Sequence, residues 1–192
     1  MAESYFEKWW RDIKTVLTNP SAFYSKMKTS GGYNEPLLFA SVNFLISGIL
    51  LGLATFLFWA PSNVQLGAAS LIAIPIYKLI ASVIGLFILA GIIHLILVFF
   101  GVKKGYEATF RALAYATPIV LLTWIPLIGI LALIYGWYLA VVGLSRAHKI
   151  SQSTAFIATL IPVIILLLLA FLFVGVMLLM GMPQASGMGY MV

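Results

Sequence analysis

The hydrophobic pattern changes once along the chain, close to Glu35. Before that point apolar and polar positions alternate with a helical repeat. Phe6, Trp9, Trp10, Ile13, Val16 and Leu17 recur at helical spacing, and Glu7, Lys8, Arg11, Lys14 and Thr18 fall opposite them. At ~100° per residue the apolar set occupies an arc of about 120°. Ser4 and Glu7 form a capping-box pattern that starts this helix. Asn19-Pro20 ends it and opens a second, with Pro20 at the first helical position. Gly31-Gly32 ends the second. The pattern predicts two short amphipathic helices lying in the membrane interface. Phe6, Trp9, Trp10 and Ile13 would face the lipid boundary, and Lys8, Arg11 and Lys14 the headgroups; the competing arrangement packs this aromatic face on the bundle itself or on a partner protein.

Beyond Glu35 apolar residues run almost without interruption, and a span needs ~20 of them. Pro36 to Ala60 is the first predicted span. Gly67 to Gly101 is too long for one span and short for two, and Pro75 and Lys78 punctuate it. Leu79 to Gly101 is taken as the second span, with Gly67 to Tyr77 as an interfacial or re-entrant lead-in. Tyr106 to Trp124 is the third, bent near Pro118. Leu127 to Leu144 is the fourth and Ala155 to Met180 the fifth. The expected organisation is all-α: a cytoplasmic amphipathic segment (1–35), a five-helix transmembrane bundle (36–180) and a loose non-cytoplasmic tail (181–192).

Composition sharpens this reading. The chain has 192 residues, 63% hydrophobic and only 8% charged. A soluble domain carries about 25% charged residues to wet its surface, so the bilayer must be most of this protein's solvent. The net charge of +6 does not form a nucleic-acid face. Every Lys and Arg except Lys78 falls in the N-terminal segment, around the turn between spans two and three, or between spans four and five. Those regions share one side in a five-span chain. The positive-inside rule then puts the N-terminus in the cytoplasm, against anionic lipid, and the C-terminus outside. Cysteine is absent, so thiol chemistry and disulfides are excluded.

Few residues within the spans could carry chemistry. Lys78 and His94 are the titratable groups deepest in the apolar runs, yet they stand about 160° apart around one helix, which opposes a direct relay. Lys78 can snorkel to the outer boundary. His94, beside Ala90 and Gly91, suits an interhelical hydrogen bond. Glu107 and Arg111 stand four apart, acid first, as a helical ion pair. Tyr115, Thr117 and the Pro118 bend could line a midplane pocket. Gly48 and Gly52 match a small-residue contact motif, and Gly129, Gly136 and Gly143 make a stripe suited to close helix packing or to homo-oligomer contact. No enzyme signature, metal-ligand spacing or cofactor motif is present.

Several short motifs occur in a telling order. Leu17-Thr18-Asn19-Pro20 with Phe23-Tyr24 precedes Gly32-Tyr33-Asn34-Glu35-Pro36-Leu37. Phe110-Arg111-Ala112-Leu113-Ala114-Tyr115-Ala116-Thr117-Pro118 follows, then Ile125-Pro126-Leu127-Ile128-Gly129. Trp137, Val141, Gly143, Leu144, His148, Ser151 and Ala155 complete the series. From about residue 15 to 175 this resembles the Yip family of Ypt/Rab-interacting membrane proteins, and especially its short prokaryotic members. For a eukaryotic protein the resemblance implies the ER–Golgi membranes, small-GTPase binding and membrane shaping. For a prokaryotic one it implies the cell membrane. The chain departs from many eukaryotic members in lacking their long cytoplasmic N-terminal region.

Together these features predict a non-enzymatic membrane scaffold or adaptor. Its basic cytoplasmic face would engage anionic lipids or a protein partner. The competing reading is a small-solute transporter or channel built on the Pro118 bend, and an intramembrane enzyme is a third. A hydrated midplane cavity lined by Asn43, His94, Tyr115 or Thr117 would favour transport, and a dry interior the scaffold.

Overall fold

Every regular element among the described residues is a helix. The computed structural model describes residues 4–59 and 64–181. The chain divides into two compact units, Met1–Thr159 and Leu160–Val192. Helix α1 spans Tyr5–Thr18, and the Ser4 N–H at its start donates to Glu7 Oε2 at 2.9 Å. That bond satisfies one of the donors a helix N-terminus leaves open. Helix α2, Pro20–Lys26, is capped by Asn19, whose Oδ1 accepts from the Ala22 N–H at 3.2 Å. Four longer helices follow: α3, Asn34–Trp59; α4, Val64–Phe99; α6, Pro126–His148; and α7, Gln152–Gly181. Among the described residues these four are long and apolar enough to cross a membrane. The tail beyond Gly181 lies outside the described residues.

The stretch from Tyr106 to Trp124, expected as a span, is not one helix. It forms α5, Tyr106–Ala114, and then a 3-10 segment, Thr117–Leu122. The break follows from Pro118, which lacks the N–H that the Ala114 carbonyl would accept in a continuous helix. Thr117 Oγ1 supplies that bond instead, at 2.7 Å. Two further carbonyls along this stretch are met by side chains from neighbouring helices. Tyr24 Oη donates to Ala112 O at 3.2 Å, and Ser47 Oγ donates to Val120 O at 2.7 Å. Every residue from Ala108 to Ile119 is buried. Irregular backbone at membrane depth is tolerated where protein covers it, and that condition holds here.

The second expected boundary is also corrected. Gly67–Tyr77 is not a separate lead-in, because α4 runs unbroken through Pro75 for 36 residues. At 1.5 Å per residue it is about 54 Å long, well beyond the ~30 Å hydrocarbon layer, so it must tilt or project. Helix α3 braces it at the proline. A Cβ on Gly48 would lie 2.7 Å from Pro75 Cα, and one on Gly52 would lie 2.9 Å from Ser70 O. Ser70 Oγ also donates to Gly67 O at 2.6 Å and to Gly52 O at 3.3 Å.

The α5–3-10 stretch runs antiparallel to α6. Thr109 meets His148 at one end, while positions 119 and 123 meet Gly136 and Gly129 towards the other. A Cβ on Gly136 would approach Ile119 Cγ2 to 2.7 Å, and one on Gly129 would approach Thr123 O to 3.0 Å. Gly143 faces the Tyr24 ring, 2.8 Å from a built Cβ. Trp137 of α6 stacks on Phe156 at 4.9 Å between centroids and donates to Thr159 Oγ1 at 2.7 Å, tying in the first turns of α7.

Gly48→Ala should therefore force the α3–α4 backbones apart, at a cost of ~1–3 kcal/mol typical of overpacking. Gly85→Ala, where a Cβ meets nothing within 4 Å, is the matched control on α4. Thermal melts of the two variants in detergent should separate clearly. Coincident melts would contradict the close contact.

Candidate functional site

The charged end of the first unit is organised around Arg111. Its side chain is 2% exposed, on a helix buried on all sides. A guanidinium cannot shed its charge at any accessible pH, so burial demands acceptors. Nε donates to Lys28 O at 2.7 Å, and Nη1 to Gly32 O at 2.8 Å. Nη2 donates to Glu35 Oε2 at 3.0 Å. Glu107 Oε1, the expected i,i+4 partner, is farther, at 3.7 Å from Nη1, and accepts instead from the Gly32 N–H at 2.7 Å. Gly31 and Gly32 have φ of 124° and 88°, values an L side chain rarely adopts. Those glycines turn the connector between α2 and α3 so that two of its carbonyls reach one guanidinium.

Glu35 also pairs with Lys8, which fastens α1 to the start of α3. Beneath that pair Trp9, Ile13 and Val16 of α1 are buried with Tyr24, Phe39, Tyr115 and Val142. Trp9 Nε1 donates to Asn43 Oδ1 at 3.2 Å, and Asn43 Nδ2 donates on to Thr117 Oγ1 at 3.0 Å. Burial pushes the Tyr24 hydroxyl far above its ordinary pKa, keeping it a neutral donor. The other basic segments are tied to the same end. Lys104 Nζ donates to Thr29 Oγ1 and Arg146 Nη2 to Ser21 Oγ, each at 2.8 Å, while Tyr135 Oη donates to Leu17 O at 2.6 Å. Between α1, α2 and the Arg111–Glu35 pair lies a cavity of about 410 Å³.

This N-terminal platform, clamped onto buried helices, is formed largely by the ordered motifs of the sequence: Asn19-Pro20, Tyr24, Gly32, Glu35, Arg111, Tyr115 and Thr117. The chain matches the Yip1 domain over residues 14–187. It belongs to the Yip1 domain family. No curated protein and no solved structure matches it.

Within this Yip1 domain the expected residues fall into distinct settings. Trp9 and Ile13 are 6% and 3% exposed, covered by protein as in the competing arrangement and not open to lipid. Their helical period reads equally well as a protein-facing stripe, and the aromatic pocket of α2, α3 and α5 takes it. Phe6 and Trp10 are exposed, at 66% and 48%, with Lys14 Nζ 5.8 Å from the Trp10 ring centroid. Lys8 lies beside Glu35. Arg11 pairs with Asp12 at 3.3 Å, and burial raises the Asp12 pKa. Lys78 is half-buried with its Cβ against Gly48, and has no hydrogen-bond or ion-pair partner among the described residues.

His94 belongs to a second polar cluster that the sequence reading did not assemble. Its Nδ1 lies 2.9 Å from Thr109 Oγ1, which lies 2.8 Å from His148 Nε2. His148 Nδ1 is buried and has no partner among the described residues. Thr109 has one hydroxyl proton, so at least one imidazole must donate to it. The arrangement with least cost has His148 donating from Nε2, leaving only a bare lone pair on its buried Nδ1. His148 was visible in the motif series, but nothing in the spacing placed it 6.0 Å from the His94 ring.

Removing the Arg111 charge leaves the Lys28 and Gly32 carbonyls and Glu35 without their shared donor. Arg111→Gln should cost ~3–5 kcal/mol, the range for breaking a buried ion pair. The connector should detach, so limited trypsin should cut after Lys26 and Lys28 much faster than in the wild type. An unchanged cleavage rate and melting profile would contradict the clamp.

Proposed function

We propose that this Yip1-domain protein is a non-enzymatic membrane scaffold that presents a preformed basic platform at the cytoplasmic surface. The observation that carries this reading is the docking of α1 and α2 on the transmembrane helices through Arg111, Glu35 and the buried Trp9 face. That docking sets Lys14, Lys26, Lys28, Lys103, Arg146 and Lys149 as exposed cations on an ordered surface. Such a surface suits anionic headgroups or an acidic face of a protein partner. If the host is eukaryotic, the small GTPases implied by the family are the first partners to test.

The topology we propose is five passes, with the N-terminus in the cytoplasm and the C-terminus outside. The α5–3-10 stretch makes the third pass inside a protein sheath, without the length or apolarity a lipid-exposed span would need. The side-chain bonds from Lys104 and Arg146 to the N-terminal segment support one shared side for the basic regions. Lys78 lies about 32 Å from Phe99 along α4, one hydrocarbon thickness, which suits an ammonium at the outer boundary. The pairing of Asn43 with Trp9 and Thr117 favours a scaffold over a transport path, because those interior groups already bond one another and the Tyr115 hydroxyl lines the cavity between α1 and α2.

The test is affinity isolation of the tagged, full-length protein from its native membrane, with Lys103→Glu/Lys149→Glu alongside. The wild type should retain a stoichiometric partner or an excess of anionic lipid, and the charge-reversed protein should lose most of it. Equal recovery from both, together with solute flux in proteoliposomes of the wild type, would favour the transporter.

A further inference from the structure

The cavity between α1 and α2 has a charge pattern that its internal ion pairs do not explain. At about 410 Å³ it falls within the size range of small-ligand sites. Its two carboxylates are already engaged, Glu35 by Lys8 and Arg111 and Asp12 by Arg11. Lys26 and Lys28 also line it, and among the described residues neither ammonium has a hydrogen-bond or ion-pair partner. Tyr115, only 4% exposed, lines the same space, and its hydroxyl has no partner among the described residues. Phe23 and Met27 add apolar wall. Two unmatched ammonium groups and a hydroxyl donor suit a compact anion with several oxygens. The apolar wall suits a carbon substituent on it.

We propose that this cavity binds a phosphate ester. Lys26 and Lys28 hold the charge, the Tyr115 hydroxyl donates to a phosphate oxygen, and Phe23 and Met27 contact the attached carbon. The proposal rests on the reading of α1 and α2 as a docked platform at the membrane surface. Two sources offer this chemistry, the headgroup of an anionic phospholipid and a soluble phosphate ester.

The test uses full-length, delipidated protein in detergent. Native mass spectrometry compares retention of phosphatidylglycerol with phosphatidylcholine, and thermal melts report the response to glycerol phosphate. Preferential retention of phosphatidylglycerol alone identifies the lipid source, and stabilisation by glycerol phosphate identifies the soluble one. In either case Lys26→Gln/Lys28→Gln should weaken binding at least tenfold and Tyr115→Phe several-fold. Lys78→Gln, away from both the cavity and the basic platform, should leave it within twofold. Absence of both responses would overturn the proposal, as would equal loss in the distant lysine variant, which marks diffuse charge. Zero-length carbodiimide crosslinking of Lys8 to Glu35 in the same samples separates the two readings. A crosslinked protein that binds neither probe overturns the phosphate site and leaves the platform standing. A wild type that never crosslinks overturns both.

Discussion

Arg111 is a permanent cation at the centre of a mostly apolar chain, and its satisfaction dictates much of what surrounds it. An unpaired guanidinium in that position would be far more costly than any single apolar contact could offset. The chain meets the demand with two backbone carbonyls and one carboxylate, all from the connector between α2 and α3 or the first turn after it. Because carbonyls from residues 28 and 32 must converge on one side chain, the connector needs the left-handed turn that Gly31 and Gly32 supply. Once the connector is held, α1 and α2 are held with it. Their apolar faces then cover the helix that carries Arg111, so burial and pairing reinforce each other.

The broken third stretch is the second part of the same design. A lipid-exposed segment must satisfy its own backbone, which confines it to continuous helix. Helix α5 and its 3-10 extension escape that constraint because α1, α2, α3, α4 and α6 surround them. Pro118 removes one donor, and Thr117, Ser47 and Tyr24 bond carbonyls along the stretch. The polar atoms of the interior are thereby largely consumed in holding irregular backbone. Exceptions among the described residues are His148 Nδ1, at the edge of the His94–Thr109 cluster, and the Tyr115 hydroxyl at the cavity wall.

The membrane character, the helical class, the family and the positions of the long helices were legible from apolar run length and motif order. Two boundaries were not, for one physical reason. Hydropathy registers how apolar a stretch is, but not whether lipid or protein will surround it. Tyr106 to Trp124 is apolar because it is sheathed by protein, and Gly67 to Tyr77 continues α4 because α3 braces Pro75. The same ambiguity applies to Trp9 and Ile13, whose spacing fits a lipid boundary or an aromatic pocket. Glu107 was the nearer partner for Arg111 in sequence, whereas Glu35 is the closer carboxylate in space. An acid at the head of the first apolar run and a base within the third were the available signal for that pairing.

Hydrogen–deuterium exchange of the intact protein in lipid nanodiscs tests the Arg111 clamp most directly. Amides of α1 and α2 are expected to exchange slowly in the wild type, near the rates of α5. In Arg111→Gln those same amides should speed up markedly while α4 and α6 stay protected. Fast exchange of α1 and α2 already in the wild type, or no change in the variant, would contradict the clamp.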